Sequence, residues 1–252
     1  MLSTLVQNKV YYKIFDKTNQ ESTHIYGKYK AENEAKIAEI EKNIKIVTAK
    51  LKCQKMLILN QVHGNNIIDA DLIDNFNLEP EADAAVTTKS HLALAIQTAD
   101  CVPVLLACSS GNVIGAAHCG WKSAKLDIIN KLVEMMRLKQ AKEIVGVIGP
   151  SIQQYSYEVD QNFYDDFVKI NQDNQKFFIP SKQENRFMFD LPDYITTKLQ
   201  QQGIYNINRY KDDTYSNEEQ YPSYRRACHK GKHYRGNILS TIIISNKVGF
   251  AQ

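Results

Sequence analysis

Three residues of this chain, His63, Cys101 and His118, have the types that hold a metal ion and lie where strands should end. Two apolar runs, at 102–107 and 113–117, flank Ser109-Ser110-Gly111-Asn112, a cluster of turn formers. That pattern predicts a β-hairpin. Cys101 stands just before its first strand and His118 just after its second. A turn centred between Ser109 and Ser110 would set the two side by side, about 5 Å apart at Cβ. At that spacing a thiol and an imidazole share one metal ion or one proton. A further strand at 56–59 delivers Gln61-Val62-His63-Gly64 at its end. One thiolate and two imidazoles, with a fourth position left for water, make the ligand set of catalytic rather than structural zinc. Such zinc lowers the pKa of its water or acts as a Lewis acid. The same residues offer a chemistry without metal: Cys101 as nucleophile, His118 as base and Asp100 as the orienting group. A thiolate is both ligand and nucleophile, so the sequence leaves the two open.

Other sites are missing from the sequence. It has no HExxH, no H-x-E with P-C-x-x-C, no Walker loop and no dinucleotide fingerprint. The last fifty residues supply a different resource. Tyr205, Tyr210, Tyr215, Tyr221, Tyr224 and Tyr234 are interleaved with Arg225, Arg226, His229, Lys230, Lys232, His233 and Arg235. Arginine forks suit phosphate oxygens and tyrosine faces suit flat heterocycles. Arg225 and Arg226 are the candidate anion binders, and Asp100 and Gln61 are candidates to orient a metal-bound group or the edge of a bound heterocycle.

The elements that position these groups follow from periodicity. Strands are predicted at 10–15, 56–59, 66–70, 92–96, 144–148, 186–191 and 238–244, besides the hairpin. Apolar residues at helical spacing predict helices at 28–51 and 163–170, one capped by Ser123 and running through Met136, and one at 194–201. An acidic loop is expected at 71–82. With no internal repeat or linker, residues 1–252 are expected to form a single domain. The composition, 43% hydrophobic and 23% charged, is that of a globular protein. A net charge of +3 is too slight to argue for nucleic acid. No apolar run is long enough to span a membrane. Five cysteines, an odd number without framework spacing, and a start lacking a secretory pattern point to a cytoplasmic protein with reduced thiols.

Seven motifs occur in order: Gln61-Val62-His63-Gly64, Asp83-Ala84, Thr98-Ala99-Asp100-Cys101-Val102-Pro103-Val104, Ala117-His118-Cys119-Gly120-Trp121-Lys122, Gly149-Pro150-Ser151-Ile152, Tyr157-Glu158-Val159 and Ser223-Tyr224-Arg225-Arg226. From about residue 56 onwards the chain therefore resembles the YfiH-type laccase-domain family. Its members were long labelled polyphenol oxidases and are now regarded as purine nucleoside phosphorylases. The resemblance implies a single α/β domain of mixed sheets layered between helices, with zinc on His63, Cys101 and His118. It implies phosphorolysis of adenosine, inosine, guanosine and methylthioadenosine, with accompanying adenosine deaminase activity. The partners implied are purine nucleosides and phosphate, without nucleic acid or membrane, and the expected assembly is a monomer or weak homodimer. An amidase editing peptidoglycan precursors, dependent on thiol or zinc, is the alternative. Three features depart from the family: Asp213-Thr214 replaces Cys-Thr, Cys119 replaces an alanine, and the segment before Lys30 is short and altered. The oxidase label fits poorly, because six histidines without a His-x-His pair do not supply a trinuclear copper cluster.

Overall fold

The computed structural model describes residues 2–7, 9–19, 34–76, 78–232 and 236–245. In chain order the elements are β1 (Ser3–Val6), β2 (Val10–Phe15), α1 (Glu34–Leu51), β3 (Lys55–Ile58), β4 (Ile67–Asp69), β5 (Ala84–Thr87) and β6 (Leu92–Thr98). The hairpin strands β7 (Val102–Cys108) and β8 (Ile114–Cys119) follow, then α2 (Trp121–Lys125), α3 (Ile128–Leu138), β9 (Ile144–Ile148), β10 (Glu158–Asp160) and α4 (Gln161–Ile170). The remainder is β11 (Phe178–Pro180), β12 (Arg186–Phe189), α5 (Leu191–Gln201), β13 (Ile207–Arg209), α6 (Tyr224–His229) and β14 (Ile238–Ile244). One sheet is ordered β1-β2-β14-β6-β3, a second β13-β9-β7-β8-β5-β4, and a small third β10-β12-β11. Parallel and antiparallel pairs mix in both large sheets. This is the mixed α/β arrangement, layered between helices, that the resemblance implies.

Strand alternation makes the layers. On β6, Ala93 and Ala95 face Val47 and Leu51 of α1. Leu92, Leu94 and Ile96 face the other way, onto Leu105, Ala107 and Val147 of the second sheet. On β7, Val104 and Leu106 look outward to Ile129, Leu132 and Val133 of α3. A side chain such as Leu132, fully buried there, would cost about 2–5 kcal/mol if cut to alanine. Helix α3 lies flush on β8 because residue 115 is glycine: a Cβ there would stand 2.8 Å from Met136 Sδ and 3.0 Å from Leu132 Cδ1. Strands buried on both faces read as unbroken apolar runs, which is why β6, β7 and β14 are visible in the sequence.

The structure corrects several expectations. The hairpin is present, but its loop is centred between Ser110 and Gly111. Cys108 N–H donates to Val113 O (3.0 Å), and Gly111, at φ +72°, donates to Cys108 O (2.9 Å). His118 therefore pairs with Pro103, not Cys101. Cys101 is its diagonal neighbour, on the same face because the offset is even. The helix predicted from Ser123 is two helices. Gly120 in extended conformation starts α2, Ser123 is buried inside it, and a left-handed Asp127 (φ +62°) separates it from α3. Helix α5 begins at Leu191, not Tyr194, since Pro192 fits a first turn and Asp190 caps it from Asp193 N. The same cap ends β12 early. Of the helix predicted from residue 28, residues 28–33 lie outside the described residues, as do His233, Tyr234 and Arg235.

Candidate metal centre

Three elements end at one rim and bring the predicted ligands together. His63 follows β3, Cys101 precedes β7, and His118 sits in β8. One ligand atom from each lies within 4.8 Å of the others. Cys101 Sγ is 4.0 Å from His63 Nε2, and the two imidazole rings meet edge to face at 4.7 Å. Burial is graded, with His118 buried, Cys101 half-buried and His63 exposed. Gly120 leaves room between them, because a Cβ there would stand 3.0 Å from His63 Cδ2 and 3.1 Å from Cys101 Sγ.

The backbone is left-handed at His63 (φ +59°) and at Asp100 (φ +89°). Such strain persists only where the surroundings over-determine it. At His63 the fully buried Asp83 does so. Its Oδ1 accepts from His63 N (3.0 Å), and its Oδ2 from Gly64 N (2.6 Å) and Val62 N (3.3 Å). Oδ1 also meets His118 Nδ1 at 2.7 Å, while the Asp83 carbonyl accepts from His118 N. At Asp100 the side chain turns away from His118. It accepts from Thr214 Oγ1 (2.7 Å), Ser223 Oγ (3.0 Å) and Arg225 N (2.7 Å). The carboxylate that orients His118 is thus Asp83, and Asp100 instead clamps the C-terminal segment against Cys101. Asp83 was legible only as half of an Asp-Ala motif; nothing in its neighbours announces a histidine thirty-five positions away.

Electrostatics follow this packing. Burial pushes the Cys101 thiol up, but His118 and His63 outweigh it and bring it down to about 7. Burial pulls His118 down, yet the Cys101 and Asp83 charges raise it to about 9. Asp83 stays below the usual carboxylate range: burial opposes this, and the contacts with His118 and the loop amides prevail. Burial, then the nearby Cys101 charge, raises the phenol of Tyr157. Burial also raises Cys119 well above an ordinary thiol. Cys119 lies in the core with Val102, Val104 and Ala117, outside the ligand group.

The remaining predicted residues separate. The Gln61 amide spans the Gln97 backbone, donating to Gln97 O (2.7 Å) and accepting from Gln97 N (2.8 Å). It fastens the His63 loop to β6. The buried Arg226 guanidinium donates to Thr214 O (2.6 Å), Tyr215 O (2.7 Å) and Tyr221 O (2.6 Å). Arg225 is different: half-buried, it lies over the Tyr157 ring at 5.1 Å and, among the described residues, its guanidinium donates through Nη1 alone, to Glu158 O (2.7 Å). Asp213 accepts from Gln153 N, Tyr215 N and Ser156 Oγ.

The donor set fits a metal. With His118 Nδ1 on Asp83, its Nε2 is the ring nitrogen left to face Cys101 and the cluster, and a tetrahedral zinc asks for ligand atoms about 3.5 Å apart. The cluster needs to close only slightly. Fold and site together define a mixed α/β protein whose strand-end rim carries a thiol-and-imidazole cluster that could hold a metal ion. Residues 15–245 match the family described as multi-copper polyphenol oxidoreductase laccase, and the chain belongs to that family. It is 48% identical over 240 residues to a Rickettsia conorii protein named purine nucleoside phosphorylase, covering 95% of this chain and 98% of that one. Its fold is similar to that of Bacillus licheniformis YfiH (TM-score 0.80, 25% identity, 94% of this chain and 93% of that one). A Neisseria meningitidis protein shares the fold as well (TM-score 0.83, 23% identity, 97% and 98% covered).

Proposed function

We propose that this chain is a zinc-dependent purine nucleoside phosphorylase, converting adenosine, inosine or guanosine and phosphate to free base and ribose 1-phosphate. Adenosine deamination accompanies it, and methylthioadenosine is a further substrate. The observation that carries this reading is one junction: Asp100 holds the Arg225 amide while its neighbour Cys101 joins the ligand cluster. That junction supports an anion-binding role for Arg225 beside the ligand cluster. His63, Cys101 and His118 would hold zinc, which supplies a Lewis acid or an activated water when bound. Arg225 keeps its Nη2 and Nε edge free of partners among the described residues and suits a phosphate oxygen pair. Tyr157, which stays protonated, lies under that guanidinium and supports its orientation. The names of the relatives support the substrate class. Copper oxidation finds no trinuclear ligand set among the described residues, where one three-ligand group occurs.

The thiolate–imidazolium pairing of Cys101 and His118 favours a second reading, a thiol hydrolase acting on amides such as peptidoglycan precursors. Incubation of zinc-loaded protein with adenosine and inosine, with and without phosphate, separates the two. The proposal expects free base only with phosphate, and inosine from adenosine without it. Base release indifferent to phosphate overturns it. Turnover that survives chelation but not thiol alkylation supports the hydrolase.

A further inference from the structure

Asp83 makes more of its two oxygens than any other carboxylate at this site. Oδ1 faces both the His118 ring at Nδ1 (2.7 Å) and the main-chain N–H of His63 (3.0 Å). Oδ2 faces the N–H groups of Gly64 (2.6 Å) and Val62 (3.3 Å), which hold His63 in its left-handed turn. Four donors converge on one fully buried side chain that has only acceptors to offer. We propose that Asp83 is the positioning residue of the centre, setting both imidazoles through a single carboxylate. On His118 it fixes the Nδ1–H tautomer, which turns the Nε2 lone pair towards Cys101. On His63, the exposed ligand, it fixes the loop.

The inference rests on the metal-centre reading above and makes a prediction that bulk or packing alone does not. Asparagine matches aspartate in shape but has one acceptor and one donor. With its oxygen on His118 and His63 N, its NH2 points at the Gly64 and Val62 amides, donor against donor, and the loop is released. Turned over, its oxygen satisfies Gly64 and Val62, but its NH2 stands donor against donor with His63 N and donates to His118 Nδ1, which forces the Nε2–H tautomer that cannot ligate. Asp83→Asn therefore loses one imidazole or the other whichever way it sits. Outer partners of metal-bound histidines are worth about 10–100-fold in metal affinity.

The test uses the full chain. Zinc affinity of wild type and D83N is measured by chelator competition, and the ligand count by the absorption spectrum of the cobalt(II) form. The expected result is a fall of about 10–100-fold with one nitrogen ligand lost. In zinc-loaded wild type, nitrogen-15 imidazole spectra should show His118 protonated at Nδ1, a readout that stands even if D83N does not fold. Unchanged affinity in folded D83N, or His118 protonated at Nε2 in wild type, overturns the role of Asp83 while leaving the phosphorylase reading intact. Failure of wild type to bind one equivalent of zinc overturns both.

Discussion

Substituting the adjacent arginines one at a time should give opposite results. Arg226 is 8% exposed, and its guanidinium donates to the carbonyls of Thr214, Tyr215 and Tyr221, at 2.6, 2.7 and 2.6 Å. Arg226→Ala removes a buried cation and strands three buried acceptors, a loss of about 3–5 kcal/mol. At roughly 2–4 °C per kcal/mol for a chain of this size, the melting temperature falls by about 6–20 °C. Arg225→Ala removes one hydrogen bond and one ring contact from a half-buried side chain, about 1–2 kcal/mol. Its larger effect is on anion binding: losing a charged contact worth about 1.5–3 kcal/mol raises the KM for phosphate about 10–100-fold. Thermal and urea unfolding of both variants, then phosphate titration of nucleoside cleavage with protein confirmed as folded, decide the matter. Arg226→Ala melting like wild type, or Arg225→Ala with an unchanged phosphate KM, would refute the division of roles.

Cys101→Ala should abolish metal binding, whereas Cys53→Ala, Cys108→Ala and Cys119→Ala keep it, because only Cys101 joins the ligand group. Zinc absorption spectroscopy should count one sulfur neighbour; two would bring the core-facing Cys119 into the shell. Asp71 gives a pH-dependent prediction. Burial works against its charge, but Lys139, Thr87 and Thr88 hold its carboxyl well below the usual range. A depressed carboxylate stabilises above its unfolded pKa, about 3.9, and that stability is lost as pH falls through the folded value. Asp71→Asn should therefore be less stable than wild type by about 1–3 kcal/mol at pH 7, with the gap narrowing only below about pH 4. Urea unfolding at pH 7, 5 and 3.5 checks this; a gap independent of pH would remove the ion from the argument.

The parts of the fold buried on both faces were legible because an apolar strand announces itself without reference to partners. The candidate ligands were legible for a related reason: His63, Cys101 and His118 are polar groups at the ends of such strands. What the sequence concealed was set by tertiary contact. The hairpin register depends on the left-handed Gly111, and the α2–α3 break depends on Asp127 at φ +62°. Neither leaves a mark in hydrophobic periodicity. Arg225 and Arg226 look alike in sequence, yet consecutive positions on α6 point differently, one over Tyr157 and one into the carbonyls of residues 214–221. The orienting role expected of Asp100 falls to Asp83 for the same reason, since the partner of a buried carboxylate is chosen by the packed chain.

Metal titration tests the central claim most directly. Protein stripped by a chelator is titrated with zinc in the presence of inosine and phosphate, and hypoxanthine release is followed at each addition. Activity should rise in proportion to zinc and stop at one equivalent, with Cys101→Ala, confirmed as folded, remaining flat. Full activity in the stripped protein, or activity in Cys101→Ala equal to wild type, would contradict a phosphorylase built on His63, Cys101 and His118.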